Sequence, residues 1–162
     1  MITHELRTRM LLPRSRSEVF AFFADAANLE RITPPELRFE ILTPQPLQIR
    51  AGTLIDYRLR LFGVPFRWRT RIARFEPDDL FVDEQLRGPY RSFVHTHTFR
   101  DVPGGTEIGD HVRWSLPLQP LGEVAWPVVR RQLARIFAYR EKAIRGLLGK
   151  PAAAPAPVRA VG

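Results

Sequence analysis

Residues 95–114, "HTHTFRDVPGGTEIGDHVRW", decide the fold. Two runs of alternating character flank the turn signal "VPGG", a pattern typical of two antiparallel strands joined by a tight loop. A loop over residues 102–105 places Arg100 opposite Glu107, a favourable cross-strand pair of opposite charge. The same register pairs Phe99 with Ile108, His97 with Asp110, His95 with Val112 and Phe93 with Trp114. Because three of these pairs are largely apolar or aromatic, we predict that their shared face, with both histidines, points inward.

The preceding hairpin leaves two alternatives, because its loop at "RGPY" contains either two or three residues. A three-residue loop places Asp83 opposite His95 on the inner face. With this loop, Phe81 and Gln85 of the same strand also face inward. A two-residue loop turns the other face inward, since a slip of one residue exchanges the two faces of a strand. That other face comprises Val82, Glu84 and Leu86. We favour the three-residue loop, and the position of Asp83 depends on it.

The rest of the chain supplies the elements around these hairpins. Ser15 and Glu18 have capping-box spacing before a helix, and Asn28 is the expected N-cap of a second, short helix. The predicted strands lie at residues 6–12, 37–42, 53–61, 66–75, 80–86, 91–99 and 106–114. A last helix covers about residues 121–148, with a kink or fresh start at Pro127. The order β-α-α-β6-α predicts an α+β fold, in which a curved antiparallel sheet packs against the long C-terminal helix.

The strands at residues 53–61 and 66–75 alternate between an apolar face and an arginine-rich face. The apolar face is predicted to point inward and comprises Ile55, Tyr57, Leu59, Leu61, Phe66, Trp68, Thr70 and Ile72. The outward face, called the arginine face below, comprises Arg58, Arg60, Arg67, Arg69 and Arg71. With Leu59 opposite Trp68, arginines lie opposite arginines, Arg60 against Arg67 and Arg58 against Arg69, which is unfavourable. Glu84 on the next strand, or an anionic partner such as a membrane surface, is the expected counter-charge.

One charged residue of the last helix falls on its apolar side. At 100° per residue, the apolar arc comprises Trp126, Val129, Leu133, Ile136, Phe137, Ile144 and Leu147. Arg140 lies near the centre of this arc, so its guanidinium needs a buried partner. The basic residues of the opposite side fit a solvated face, and no site is assigned to them. They are Arg131, Arg135, Lys142 and Arg145.

Composition narrows the class of protein. The chain has 162 residues, 44% of them hydrophobic and 26% charged, with a net charge of +8 and no cysteine. Disulfides, thiolate catalysis and cysteine-bound zinc are therefore excluded. Residues 1–149 are expected to form one domain, and residues 150–162, a Pro/Ala-rich tail, to be disordered. The absence of a signal-peptide pattern and of a long apolar run predicts a cytoplasmic location. No nucleic-acid recognition motif is present.

Several stretches together resemble the START-like (SRPBCC) superfamily, which includes polyketide cyclases and dehydrases, coenzyme Q-binding proteins and birch-pollen-allergen-like proteins. They are "VFAFFADAANLERITPP", "FVDEQLRGPYRSFVHTHTF", "GGTEIGDHVRW" and "RRQLARIFAYR". The resemblance implies a helix-grip fold with a hydrophobic cavity between the sheet and the last helix. It also implies that "ITPP" lies at the cavity rim, where Leu29, Ile32 and Pro34 face the mouth. Its members tend to be apolar at the positions of Phe81, Asp83 and Gln85.

The polar residues expected on the inner wall are His95, His97, Asp83, Asp110 and Arg140, and they allow three interpretations. They form a self-satisfied hydrogen-bond network. They anchor a small hydrophobic ligand, such as a lipid, a quinone or a polyketide-like molecule. They act in an aromatase/cyclase or dehydratase reaction, with His95 or His97 as general acid/base tuned by Asp83 or Asp110. A binding protein is favoured over an enzyme, with no cofactor and no metal, because the strand face satisfies these groups without an ion.

The expected ligand contacts follow from the inward faces and the rim. They are Tyr57, Leu59, Trp68, Phe81, Gln85, Phe93, Phe99, Val112, Trp114, Leu133, Phe137, Arg140, Leu29 and Ile32. A further alternative is an interaction protein that works through the arginine face. In such a protein, side chains fill the space between the sheet and the last helix. The size of the cavity separates this alternative from the other two, because ligand pockets enclose several hundred cubic ångströms.

Overall fold

The structure, a computed structural model, describes residues 1–151. Most of the tail predicted to be disordered therefore lies outside the described residues. The strands are β1 (His4–Leu12), β2 (Glu40–Ile41), β3 (Leu54–Leu61), β4 (Val64–Glu76), β5 (Leu80–Arg87), β6 (Ser92–Val102) and β7 (Gly105–Ser115). The α-helices are α1 (Arg16–Phe23), α2 (Asn28–Arg31) and α3 (Trp126–Leu148), with 3₁₀ turns at Pro35–Leu37 and Leu121–Ala125. This order confirms the predicted β-α-α-β6-α arrangement.

The strands form one curved antiparallel sheet in the order β1-β7-β6-β5-β4-β3-β2. Its inner face is covered by α1 at one end and by α3 along the middle. Phe20 and Phe23 of α1 pack with Phe99 and Ile108, while Leu133 of α3 packs in the cluster of Val112 and Trp114. The core is therefore divided between the two helices, and the space between them is where a cavity forms. Within residues 1–151, none of the helices combines the length and the apolar character that a membrane crossing needs.

The β6–β7 hairpin has the predicted register. Arg100 lies opposite Glu107 and His97 opposite Asp110, and the ladder continues to Val102 opposite Gly105. The two glycines of "VPGG" are both required by the backbone. Gly104 has φ +88° in the turn, and a Cβ on Gly105 (φ +151°) falls 1.9 Å from the carbonyl oxygen of Leu12. The turn therefore packs against the end of β1, and this contact holds the hairpin beside that strand.

The β5–β6 hairpin resolves the open alternative in favour of the longer loop. Asp83 lies opposite His95 and Phe81 opposite His97, so Asp83 faces inward. The ladder ends at Glu84 opposite Val94 and does not reach the expected pair of Gln85 and Phe93. Instead, the Gln85 side chain donates to the carbonyl of Tyr90 (2.7 Å) and accepts from its backbone N–H (3.3 Å). The Gln85 amide thus replaces a rung of the ladder and closes the loop.

The predicted register of the β3–β4 hairpin is wrong by two residues. Tyr57, not Leu59, lies opposite Trp68, and Arg58 lies opposite Arg67. The reason is a two-residue turn at Phe62 and Gly63, which both have positive φ (52° and 77°). Because the shift is an even number of residues, every side chain stays on its predicted face, but the cross-strand partners change.

Three local predictions need correction. Ala27 is the N-cap of α2, because the Asn28 side chain instead donates to the carbonyl of Phe22 (2.8 Å). The strand expected at residues 37–42 shrinks to Glu40–Ile41, since the chain enters it through a 3₁₀ turn and a left-handed Arg38. On α3, Leu147 is 36% exposed and Leu148 is buried in its place.

Two helix starts agree with the sequence. The Ser15 hydroxyl accepts from the Glu18 backbone N–H (3.3 Å), as a capping box requires. The last helix starts afresh at Trp126, with Pro127 in the first turn after a 3₁₀ segment. The buried stripe of α3 then comprises Leu133, Phe137, Arg140, Ile144 and Leu148. Arg140 therefore does lie in the apolar stripe.

Candidate functional site

A cavity of about 180 Å³ lies between the inner face of the sheet and α3. Most of the predicted ligand contacts line it, and two of the three predicted rim residues, Leu29 and Ile32, are among them. Pro34 is fully buried and does not line the cavity. The lining residues that the sequence predicted are Leu29, Ile32, Tyr57, Leu59, Trp68, Phe81, Phe93, Leu133, Phe137 and Arg140. The volume is below the several hundred cubic ångströms expected, because aromatic side chains occupy part of the space. Trp68 packs edge-on against Phe93, with ring centroids 5.2 Å apart.

Four residues predicted as ligand contacts do not line the cavity. Phe99 packs against Phe20 of α1, with ring centroids 5.1 Å apart. Val112 and Trp114 are sealed beneath α3, and Gln85 is engaged with the Tyr90 backbone. The alternation of a strand identifies its inner face along its whole length. It does not show which part of that face a helix will cover.

The cavity also has lining residues that the sequence analysis did not single out as ligand contacts. They include Phe23 of α1, Leu37 and Phe39 beyond α2, Ile49 in the segment before β3, and Tyr90 in the β5–β6 loop. Phe23 lies on the buried side of α1, three residues after Phe20, and helical spacing identifies it as inward-facing. Ile49 lies between two regular elements, where no periodic signal exists. Its place in the wall depends on the path of the loop.

One end of the cavity is polar. Asp83, His95, His97 and Arg140 line it, and Asp110 lies beside them without reaching the cavity. His95 and His97 are on β6, Asp83 is on β5 and Asp110 is on β7, so three adjacent strands and α3 contribute. We call these five residues the polar cluster. All of them were predicted from the sequence, and the structure brings all of them together.

Within the polar cluster, each histidine bonds a carboxylate other than the one that lies opposite it in the strand register. His95 lies opposite Asp83, but its Nε2 bonds Asp110 Oδ1 on the other neighbouring strand (2.8 Å). His97 lies opposite Asp110, but its Nε2 bonds Asp83 Oδ2 (2.8 Å). The His97 Nδ1 is also 3.4 Å from Asp110 Oδ1. The two imidazoles overlap with centroids 3.7 Å apart, so each fixes the orientation of the other.

Arg140 finds the buried partner that its position demands. Its Nη2 is 3.5 Å from Asp110 Oδ1 and donates to His97 Nδ1 (3.3 Å). The guanidinium also lies over the Phe23 ring, 5.0 Å from the centroid, in a cation–π contact. Arg140 keeps only 7% of its surface exposed, so these contacts replace most of its hydration, while its buried Nε has no hydrogen-bond partner among residues 1–151.

Burial and mutual charge act in opposite directions on the polar cluster. Burial by itself raises the pKa of Asp110, but the charge of Arg140 and the hydrogen bonds from both histidines outweigh it and hold the pKa well below its usual value. Burial also raises the pKa of Asp83, and bonding to His97 reverses the direction. Burial lowers the pKa of His95, helped by the charge of His97. The net shift in the pKa of His97 is upward, because its bonds to both carboxylates outweigh burial. The two carboxylates therefore stay ionised beside Arg140.

His95 has one ring nitrogen to spare. Its Nε2 bonds Asp110, while its Nδ1 has no hydrogen-bond partner among residues 1–151 and is 3.9 Å from Asp83 Oδ2. That distance is too long for a hydrogen bond. The bond at Nε2 places the ring proton there in the neutral tautomer, which leaves a lone pair on Nδ1. The cavity wall therefore presents an acceptor with an oriented imidazole behind it.

The phenols near the cavity are neutral groups. Burial raises the pKa of Tyr57 and of Tyr90. The Tyr57 hydroxyl bonds Thr70 Oγ1 (3.2 Å), and its ring stacks on Trp68 at an interplanar angle of 18°. The Phe81 ring stacks on His97, with centroids 4.1 Å apart. These rings form flat apolar walls that continue from the polar cluster.

On the outside of the sheet, three members of the arginine face have carboxylate partners. Arg69 forms a two-pronged pair with Asp56, with both N–O distances 2.8 Å. Arg58 pairs with Glu40, and Arg71 pairs with Glu84, as the sequence predicted for Glu84. Arg60 and Arg67 have no carboxylate partner in the described part of the chain.

Solved structures with a similar backbone come from distant organisms. Protein CV1439 from Chromobacterium violaceum is 15% identical and has a TM-score of 0.69, and the match covers 91% of this chain and 99% of that protein. The major latex-like protein 151 of Panax ginseng is 10% identical with a TM-score of 0.66, covering 93% and 100%. Protein Ms6760 from Mycobacterium smegmatis is 16% identical with a TM-score of 0.65, covering 88% and 89%. At such identities the likeness shows the fold alone, the START-like helix-grip fold.

The sequence itself identifies the family. No curated protein matches it significantly. A sequence model of the family described as polyketide cyclase / dehydrase and lipid transport matches residues 12–138, from the end of β1 into α3. This span includes most of the cavity wall and both hairpins, which carry four of the five residues of the polar cluster, while Arg140 lies two residues beyond it. The chain therefore belongs to the polyketide cyclase / dehydrase and lipid transport family.

Proposed function

We propose that the protein binds a compact, oxygenated hydrophobic molecule in the cavity. One observation carries this proposal: a mostly apolar and aromatic wall has its carboxylate, imidazole and guanidinium groups, those of Asp83, His95, His97 and Arg140, gathered at one end. Ligand pockets are typically apolar, with a few convergent polar groups that orient the ligand. A ligand with its oxygen at the polar cluster and its ring against Phe81 and Trp68 satisfies both parts of the wall.

The size of the cavity selects among the hydrophobic ligands that the family suggests. Its volume of about 180 Å³ is smaller than the roughly 300–1,000 Å³ of pockets for drug-sized ligands. A one-ring or two-ring phenol or quinone head fits this space better than a long acyl chain or a polyketide of several rings. Tyr57, Trp68 and Phe93 set the limit, because their rings fill the middle of the wall.

The test measures the binding of a panel of one-ring and two-ring phenols and quinones by isothermal titration calorimetry. Native mass spectrometry of the protein purified from its own host shows in addition whether a ligand of this class is already bound. Leu59→Trp places a large ring in the cavity and is expected to abolish binding. Leu86→Trp is the matched control, since Leu86 is 49% exposed. Equal binding by the Leu59→Trp variant and the wild type, or no binding of any panel compound, contradicts the proposal.

A second candidate function is an aldol cyclisation or dehydration catalysed in the same cavity. The observation that favours it is the free Nδ1 of His95, with Asp110 behind the ring at 2.8 Å. In an aldol cyclisation His95 Nδ1 takes a proton from the α-carbon of the substrate and returns it to the alkoxide formed when the new carbon–carbon bond closes. In a dehydration it returns the α-carbon proton to the leaving hydroxyl, which departs as water as the carbon–carbon double bond forms. Asp110 keeps the imidazole in the required tautomer.

Turnover distinguishes the enzyme from the carrier. With oxygenated ketone substrates and product detection by mass spectrometry, His95→Gln is expected to lower the rate by about 10²–10⁴-fold while the ligand still binds. His97→Phe and Asp110→Leu test whether the rest of the polar cluster supports the reaction. A wild-type protein that binds these compounds tightly and converts none of them is a carrier, and the catalytic candidate is then rejected.

A further inference from the structure

Three residues of the polar cluster direct nitrogen and oxygen atoms toward one point at the cavity wall. One ligand atom from each of Asp83, His95 and His97 lies within 4.8 Å of the other two. Asp83 Oδ2 is 2.8 Å from His97 Nε2 and 3.9 Å from His95 Nδ1. Ligands at 2.0–2.1 Å from a tetrahedral ion are roughly 3.3 Å apart. The two measured distances differ from this value by about half an ångström in opposite directions. The ligand atoms of His95 and His97 lie within 4.8 Å of each other, so side-chain adjustment is needed to bring all three atoms to an ion.

The other nitrogen of each histidine is already directed at a carboxylate. His95 Nε2 is 2.8 Å and His97 Nδ1 is 3.4 Å from the same oxygen, Oδ1 of Asp110. Metal-bound histidines almost always donate their second ring N–H to a carboxylate, a carbonyl or water, which fixes the ring and makes it a better ligand. Asp110 already bonds the second nitrogen of His95, and its Oδ1 is placed to accept from the second nitrogen of His97 once an ion occupies Nε2. A network whose members only satisfied each other's hydrogen bonds does not require both imidazoles to lie between the same two carboxylates, with one ring edge toward Asp83 and the other toward Asp110.

Charge and ligand type narrow the choice of ion. Arg140 contacts Asp110 and His97 Nδ1, which is the edge of the ring away from Asp83. It therefore offsets the second carboxylate without occupying the point between Asp83 and the histidines. An ion there displaces the proton from His97 Nε2. The ring proton then lies on Nδ1, directed at Asp110 Oδ1, and the 3.3 Å contact of Nδ1 with Arg140 Nη2 is no longer a hydrogen bond. Two imidazoles and one carboxylate suit Zn²⁺ and Fe²⁺ rather than Mg²⁺ or Ca²⁺, which prefer oxygen.

We propose that Asp83, His95 and His97 bind one divalent transition-metal ion, oriented by Asp110. Because all three ligands line the cavity, the remaining coordination positions face the ligand space. The ion then binds the oxygen of a phenol, enol or carbonyl directly. This goes beyond the proposed function, since a hydrophobic molecule also binds to the apolar wall without an ion, and it assigns His95 Nδ1 to the metal instead of to a proton.

The experiment titrates the chelator-treated full chain with Co²⁺ alone, followed by its visible absorption, and then with Zn²⁺ in competition. We expect one equivalent of Co²⁺ to bind, with the strong visible absorption that is typical of four- or five-coordinate Co²⁺. Asp83→Asn and His97→Gln are expected to abolish this binding, and Asp110→Asn to weaken it by about 10–100-fold. Circular dichroism identifies any variant that fails to fold, and Asp83→Asn is the milder change because its side chain is 21% exposed.

His111→Gln and His4→Gln are the matched controls. Each of these histidines also pairs with one carboxylate, His111 with Glu5 (2.8 Å) and His4 with Glu123 (2.6 Å), but away from the cavity. Both variants are expected to bind Co²⁺ as the wild type does. The proposal is overturned if the wild type binds no stoichiometric Co²⁺, or if the Asp83→Asn and His97→Gln variants keep it. The phenol and quinone panel, repeated with chelator present, shows separately whether the cavity binds hydrophobic ligands.

Discussion

The two faces of the sheet carry similar pairs of nitrogen bases and carboxylates in opposite surroundings. On the arginine face, Arg69 and Asp56 pair at 2.8 Å with half and two fifths of their side-chain surfaces exposed. In the polar cluster, His97 and Asp110 keep only 3% and 6%. Water can replace a lost partner outside but not inside, so the same substitution has very different consequences on the two faces.

The two faces also differ in how the pairs are connected. Arg58, Arg69 and Arg71 each have one carboxylate partner, so each pair stands alone. Asp110 by contrast contacts His95, His97 and Arg140. The position of every member of the polar cluster therefore depends on the others. Charged pairs on this sheet are therefore expected to matter for stability only where they share partners and exclude water.

Asp110→Asn is expected to have the largest effect. It leaves Arg140 without its buried carboxylate and both histidines without a charged acceptor. Breaking a buried pair from one side costs about 3–5 kcal/mol of unfolding free energy. Urea denaturation followed by fluorescence measures the loss, with Asp56→Asn as the outside control, which we expect to leave the midpoint almost unchanged. Similar shifts of the urea midpoint in Asp110→Asn and Asp56→Asn contradict the view that the buried pairs matter more than the exposed ones.

Thr70→Val tests a neutral pair on the inner wall. The Thr70 hydroxyl, on a residue that is 4% exposed, bonds the Tyr57 hydroxyl at 3.2 Å. Removing one neutral hydrogen bond costs about 0.5–1.5 kcal/mol, and valine keeps the shape. The same denaturation experiment should place this variant between Asp110→Asn and the outside variants. A loss as large as that of Asp110→Asn refutes our view that shared charge, rather than burial alone, makes the polar cluster sensitive.

Arg69→Ala tests the best-formed pair of the arginine face. Because both partners are half exposed, the stability of this variant should change less than that of Thr70→Val, in spite of the two-pronged geometry. Salt at about 1 M shortens the screening length to roughly 3 Å and should remove the remaining difference from the wild type. A difference in stability between Arg69→Ala and the wild type that persists at high salt would falsify our view that this pair is screened by solvent.

The smallest expected effect is on the titration of one carboxyl group. The hydrogen bond from Arg69 holds the pKa of Asp56 below its ordinary value. A lowered native pKa stabilises the fold above the unfolded pKa, and this small contribution is lost as the pH falls through the native pKa. NMR titration of the side-chain carboxyl carbon should show the pKa of Asp56 rising to its ordinary value in Arg69→Ala. An unchanged pKa means that the pair does not persist in solution.

Much of the site was predictable because strand alternation is a strong local signal. The inward faces of β3, β4, β6 and β7, and the membership of His95, His97 and Asp110 in one wall, followed from period two and one opposite-charge pair. The β3–β4 register was predicted wrongly and the faces correctly, since a slip of two residues leaves the faces in place. The pairing within the polar cluster was not predictable. Register places His95 opposite Asp83, while side-chain rotation lets it bond Asp110.

The sequence was enough to predict the order of the elements, the inner faces of β3, β4, β6 and β7, and the inward position of His95, His97 and Asp110. These depend on neighbours along the chain or across one hairpin, where spacing is set by covalent geometry. The inward position of Asp83 depended on the β5–β6 loop length, which the sequence left open. Only the tertiary structure decided where α1 and α3 cover the sheet. That choice buried Phe99 and Trp114 away from the ligand space and left a cavity of about 180 Å³ beside His95 and His97. A cavity is the space that packing between distant segments leaves unfilled, and no local pattern encodes its size.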